Sequence, residues 1–345
     1  MSGDGHIEEQ RRKGLRLALA VSTGFTVSVA CGAVVPFLGP LFAAQFLLSS
    51  SSPVPMKKVA GMGLVIIAVG TFMMAVTTLL GKSPAPLLII LGLVYFGCFT
   101  AQTSGRGGGA IFLVLVVAVM VPLLALLNPE LAASLLSILV GGVVGGAVLM
   151  WLAHAVIPEP RVVTTQEDTI PARSPNYLRA LANAAILLTA VATCLINDNL
   201  SSAVVIPITV ASLLGQLDLA GSGRAALGLA LVNLFGGVVA SLSYTVLSMR
   251  PNLLWMFVIV LLISLFLGGR GAARSSDAKV YGGALTIFLI LFGLGVSPLP
   301  GSAAESFSTR VGFVAAAIAY TLLASALLWR PRSVGRAGDL PQSVG

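Results

Sequence analysis

Residues 59–80 read VAGMGLVIIAVGTFMMAVTTLL. The stretch carries no charge and has no polar face. A membrane barrel strand would alternate apolar and polar residues over about ten positions. This run is apolar on all sides, and about 20 such residues cross a bilayer as a helix. Residues 225–247, AALGLALVNLFGGVVASLSYTVL, have the same character. In lipid every backbone amide must be satisfied within the chain, which leaves helices once barrels are excluded.

The whole chain agrees with this reading. Of its 345 residues 57% are hydrophobic and only 9% are charged, and the mean hydropathy is +1.00. Soluble domains carry about 25% charged residues, because polar side chains must cover a water-facing surface. The first fourteen residues are polar, and no small-residue cleavage site leads from the first apolar segment into a soluble domain, so that segment is expected to be the first membrane helix and not a cleaved signal. Cys31, Cys98 and Cys194 lie in or beside apolar segments. They are expected to be small buried hydrophobes and not a disulfide framework.

Twelve apolar segments follow one another. In the first half they cover about 17–35, 37–50, 59–80, 86–100, 109–127 and 131–157. In the second half they cover about 180–196, 200–216, 225–248, 252–268, 280–297 and 307–329. The second and fourth of each half are short, as tilted or broken helices would be. With twelve crossings, 17 of the 20 basic residues fall on the side of the N-terminus, and only Lys82, Arg250 and Arg310 face the other way. The positive-inside rule then puts both termini in the cytoplasm. The isoelectric point near 9.9 is therefore a topology signal, and nucleic acid is not an expected partner.

The two halves resemble each other. At an offset of 163, Leu15, Arg16, Thr26 and Cys31 match Leu178, Arg179, Thr189 and Cys194. Further on, Gly108-Gly109-Ala110 resembles Gly282-Gly283-Ala284, and Glu130 falls near Glu305. The expected fold is thus an all-α polytopic membrane protein, with about twelve helices as two parallel six-helix repeats. The first repeat takes residues 1–157, with a cytoplasmic N-terminal tail. A cytoplasmic linker takes 158–177, the second repeat 178–330, and a cytoplasmic tail 331–345. Substrate paths in such proteins usually run between the halves.

No enzyme signature is present: no metal-spaced His/Cys/carboxylate cluster, no GxSxG and no Walker loop. No cofactor is expected. Gly141-Gly142-Val143-Val144-Gly145-Gly146 permits close helix packing, as do Gly61, Gly63 and Gly70, and Gly228, Gly236 and Gly237. The sharpest polar feature is Asn197-Asp198-Asn199, between the first two segments of the second half. Its counterpart is Val35-Pro36-Phe37-Leu38-Gly39-Pro40. Two readings of Asp198 stand: a proton-coupling or cation-holding carboxylate in the membrane, or an N-cap in water at the outer surface. Gln45, Gln216, Asn183 and Asn233 are intramembrane amides that either join helices or line a polar path. Glu130 and Glu305 open the last helix of each half, where a carboxylate suits the helix dipole. Arg310 follows Glu305 closely enough to pair with it or to meet an anionic solute. His154 reads as interfacial, and Trp151, Trp255 and Trp329 as interface anchors.

The opening LRLALAVSTGFTVSVACGAVVPFLGPLFAAQFLLSS, followed by MKKVAGMGLVIIAVGTF, has a first helix, a proline-bearing break, a short second helix and a basic, glycine-containing third. NDNLSSAVVIPITVASLLGQ and GRAALGLALVNLFGG echo it in the second half. This resembles the fusaric acid resistance and aromatic acid exporter superfamily. The resemblance implies efflux of aromatic or other organic acids and drugs across a bacterial inner membrane, with a periplasmic adaptor (membrane fusion) protein as partner. Larger members carry sizeable cytoplasmic domains that are replaced here by the short linker and tail.

The expectation is a proton-driven secondary exporter of small organic anions that also self-associates as a homo-oligomer. Two alternatives stand beside it. One is an anion channel-like pathway with Arg106, Arg224 and Arg270 near its cytoplasmic mouth. The other is a non-transport membrane scaffold subunit.

Overall fold

The structure is a computed structural model that describes residues 3–50, 52–104, 108–127, 129–158, 176–196, 205–219, 223–273, 278–297 and 307–328. Among these residues the regular structure is entirely helical. The helices are α1 (Gly3–Ala30), α2 (Leu38–Ser49), α3 (Met56–Leu80), α4 (Pro84–Thr103), α5 (Gly108–Leu127), α6 (Pro129–Val156), α7 (Tyr177–Ile196) and α8 (Val205–Leu219). Four more follow: α9 (Gly223–Met249), α10 (Leu253–Gly271), α11 (Ala278–Val296) and α12 (Phe307–Leu328).

Five of them are long and apolar enough to cross a membrane: α3, α4, α6, α7 and α10. Large apolar side chains lie open on the outer faces, with Leu79 80% and Leu327 87% exposed. Water would penalise so wide an apolar surface, whereas lipid tails solvate it at no cost. The chain is therefore an α-helical membrane protein in its composition, its helix lengths and its surface.

Local sequence sets the helix ends. Gly32 (φ +70°) closes α1 in a Schellman motif, with Ala33 N–H donating to Ser28 O at 3.0 Å and Gly32 N–H to Val29 O at 3.0 Å. Such a cap requires the left-handed conformation that glycine supplies. Pro84 starts α4, where its missing N–H costs nothing. The Asn252 side chain caps α10 by accepting from Leu254 N–H at 3.0 Å.

The structure revises several expected boundaries. The N-terminal tail is a continuous part of α1, which begins at Gly3. A Glu8–Arg12 pair at 2.7 Å supports its first turns. The fourth segment of each half is longer than expected, at 20 residues for α4 and 19 for α10. Their polar ends stay helical because backbone groups at that depth still need partners. Inside α10 a π-helical turn runs from Ser264 to Gly268. The second segments are short, as expected, with 12 residues in α2 and 15 in α8.

Packing is not sequential. Within the first half α2 lies against α6 and α3 against α5, and within the second half α8 lies against α12 and α9 against α11. Across the halves α1 packs on α10, α4 on α7, α2 on α11 and α5 on α8. The first helix of each half thus meets the fourth helix of the other. The α1–α10 crossing is close because Gly14 faces Gly269, and a Cβ on Gly14 would sit 2.9 Å from the Gly269 Cα.

Candidate functional site

The break between α1 and α2 is the best-defined irregular feature of the core. After Gly32 the chain stays non-helical until Leu38, so Pro36 lies in the break while Gly39 and Pro40 belong to the first turn of α2. The break is not a free surface loop. The Phe37 ring lies directly against Gly293 of α11, where a Cβ would collide with it. The Ser297 hydroxyl, at the end of α11, donates to Val34 O. Nearby, the Phe25 ring of α1 is 5.5 Å from Phe292, which stacks on Phe288 at 5.4 Å and 16°. Four phenylalanines from α1, the break and α11 thus fill the junction of the two halves.

On its other side α2 is seated by glycines of α6. A Cβ on Gly142 would meet Leu38 at 2.9 Å, and one on Gly146 would meet Phe42 at 2.6 Å and Gly39 O at 2.9 Å. The expected packing role of this glycine run therefore holds at Gly142 and Gly146. Gly141 and Gly145 face open space. Gly70 similarly receives Leu136, and Gly236 abuts the backbone of Ala284. Gly61 and Gly228 have nothing against them, and Gly63 has only Val140 at 4.0 Å.

The expected site residues distribute as follows. Gln45 is half-buried on α2. Asn183 is wholly buried on α7, a helix that makes no extensive contact with α2. Glu130 lies exposed in the first turn of α6, where the helix dipole favours it. Gln216, Asn233 and Arg310 lie on α8, α9 and α12, with side chains outside the described residues. Asn197, Asp198, Asn199 and Glu305 lie outside the described residues altogether, as does Trp329.

Other expectations meet the structure more directly. Cys194 is buried and Cys98 half-buried, but Cys31 is exposed. It occupies the C-cap of α1, where the chain leaves the helix and its packed surface. Trp151 donates from Nε1 to Val54 O at 3.0 Å, tying the segment before α3 to α6. Trp255 is 45% exposed. His154 Nδ1 lies 2.9 Å from Met150 O, within its own helix. Arg270 stacks on the rings of Phe266 (4.8 Å) and Tyr281 (5.4 Å) and donates to Tyr281 Oη at 3.1 Å.

Sequence reading missed three features. Tyr95 of α4 is fully buried and donates to Ala118 O of α5 at 3.3 Å. Gln102 lies over Gly215 of α8, its Nε2 being 2.7 Å from where a Cβ would stand. Arg16, which sequence position assigns to a flanking loop, is only 2% exposed. The Tyr95 contact had a signal in the sequence, because Pro122 must leave the carbonyl four residues earlier without its helical donor.

Among the described residues no three His, Cys, Asp or Glu side chains come together. No family model, characterised protein or solved structure matches the chain.

Proposed function

We propose that the chain is a secondary transporter of a bacterial inner membrane, built from two parallel six-helix repeats, α1–α6 and α7–α12, with both termini cytoplasmic. One observation supports this most: the reciprocal packing of α1 on α10 and α4 on α7, with α2 on α11 and α5 on α8. These four contacts form two pairs in which the roles of the halves are exchanged. A pseudo-twofold axis along the membrane normal produces that relation, and transporters with parallel repeats place their path along such an axis.

The cargo in this reading is an aromatic or other small organic acid, moved outward and passed to a periplasmic adaptor. A proton gradient drives export, with Asp198 as the coupling carboxylate.

The test is export of a radiolabelled aromatic acid from inverted membrane vesicles or proteoliposomes under an imposed pH gradient. Gradient-driven accumulation against the cargo's own gradient is expected, and Asp198→Asn should abolish it. Flux that merely follows the anion's electrochemical gradient would instead indicate a channel. Undiminished coupled export by Asp198→Asn would remove the residue's role while leaving the transporter reading in place.

A further inference from the structure

We propose that the last turn of α10 binds one anionic phospholipid, with its phosphate on Arg270. The inference rests on the membrane setting of these helices and does not depend on transport. Arg270 is exposed and stands one residue before the end of α10, whose span Leu253–Gly271 has 19 residues. A helix of that length covers about 28 Å, close to the roughly 30 Å of hydrocarbon. Arg270 therefore lies at headgroup depth whichever way the helix points. Its guanidinium stays protonated at any physiological pH.

Neighbouring rings hold the side chain in place. The guanidinium carbon is 4.8 Å from the Phe266 ring centroid and 5.4 Å from that of Tyr281. Nη1 donates to Tyr281 Oη at 3.1 Å. The cation–π contacts and this bond fix the guanidinium plane before any ligand arrives. The bond uses one of five N–H groups. Nε and Nη2 keep a second edge of the fork, the geometry that phosphate oxygens accept in pairs. No carboxylate among the described residues pairs with Arg270. Phe266 itself lies in the π-helical turn Ser264–Gly268, and turns of this kind are frequent at functional sites.

Hydrocarbon adjoins the charge. Phe266 and Leu262, one and two turns before Arg270, are both exposed, as is Leu265 beside them. From Arg270 back to Leu262 this apolar track runs about 12 Å, the length of the upper part of an acyl chain. Phosphate at the helix end and hydrocarbon alongside is the layout of a lipid lying lengthwise on α10. The charge selects the headgroup. Phosphatidylglycerol presents a phosphate with no cation of its own. In phosphatidylcholine a trimethylammonium offsets the phosphate, and the ring faces that would attract it already carry the guanidinium.

The test uses the full chain in detergent micelles, offered equimolar phosphatidylglycerol and phosphatidylcholine of the same acyl chains, with retained lipid read by native mass spectrometry. Wild type is expected to retain the anionic lipid about fivefold over the zwitterionic one. Arg270→Gln should bring the two to parity. Tyr281→Phe, which keeps the ring but loses the positioning bond, should lower the preference without erasing it. Lys57→Gln/Lys58→Gln removes two exposed charges from the start of α3 and should leave the preference unchanged. Equimolar inorganic phosphate should not displace the retained lipid. Equal retention of the two lipids by wild type overturns the proposal, as does an undiminished preference in Arg270→Gln or Tyr281→Phe. Parity in Lys57→Gln/Lys58→Gln would assign the preference to overall charge and not to this site. Displacement by inorganic phosphate would make it a site for free anions and not for lipid.

Discussion

Pro122 sits inside α5 and cannot donate to Ala118 O four residues before it. In water that carbonyl would be hydrated. In lipid it needs a donor from the protein, and the Tyr95 hydroxyl supplies one from α4. Tyr95→Phe should therefore destabilise the detergent-solubilised protein by about 1 kcal/mol, read as a lower midpoint of thermal unfolding. Restoring the backbone donor with Tyr95→Phe/Pro122→Ala should recover part of the loss, whereas equal midpoints for wild type and Tyr95→Phe would show that the bond contributes nothing. Gly146 sets a second residue-scale constraint. A side chain there must displace Phe42 and the backbone of α2, so Gly146→Val should cost about 1–3 kcal/mol in the same assay.

At the scale of elements, α2 is the unusual piece. Its 12 residues cover about 18 Å, less than the roughly 30 Å of hydrocarbon. It is held between α1, α6 and α11, and the break before it is fixed by the Gly32 cap and the Phe37 contact. A β-branched residue at Gly32 would have to adopt a left-handed backbone at a cost of about 1–2 kcal/mol. Gly32→Val is accordingly expected to lower the unfolding midpoint, and Gly32→Asn, which tolerates that conformation, to lower it less. If valine and asparagine were equivalent there, the cap would not be the reason for the break. The break itself was legible from Pro36 and Pro40 in the sequence. Its docking on Gly293 was not, because nothing local couples residues 256 positions apart.

For the whole molecule, the proposed orientation carries a direct consequence. Cys31 is the exposed cysteine at the end of α1, which the twelve-crossing topology puts at the periplasmic face. A membrane-impermeant maleimide added to intact cells, with the outer membrane made permeable, should label Cys31 and leave Cys31→Ser protein unlabelled. Labelling that appears only after the inner membrane is opened would reverse the orientation. The α1–α10 crossing belongs to the same scale. Gly14→Val would force its backbone away from Gly269 and should loosen the contact between the halves, read as faster proteolysis without loss of helical circular dichroism. Unchanged proteolysis would mean that the crossing does not hold the halves together.

The sequence by itself determined the solvent and, through it, the secondary structure. With 9% charged residues the chain cannot cover a water-facing surface, and a backbone in lipid must bond to itself, so helices follow once the lack of apolar–polar alternation excludes a barrel. Glycine runs, prolines and the basic residues then mark seams, ends and flanks, because each of those signals acts within a few residues of itself. Only the tertiary structure decided which helices meet. Apolar residues surround most of these helices, so no amphipathic stripe points to a partner, and lipid tails offer no hydrophobic penalty to sort faces. The pairing of α1 with α10, the seating of Phe37 on Gly293 and the burial of Arg16 depend on steric fit between distant segments, which periodicity does not encode.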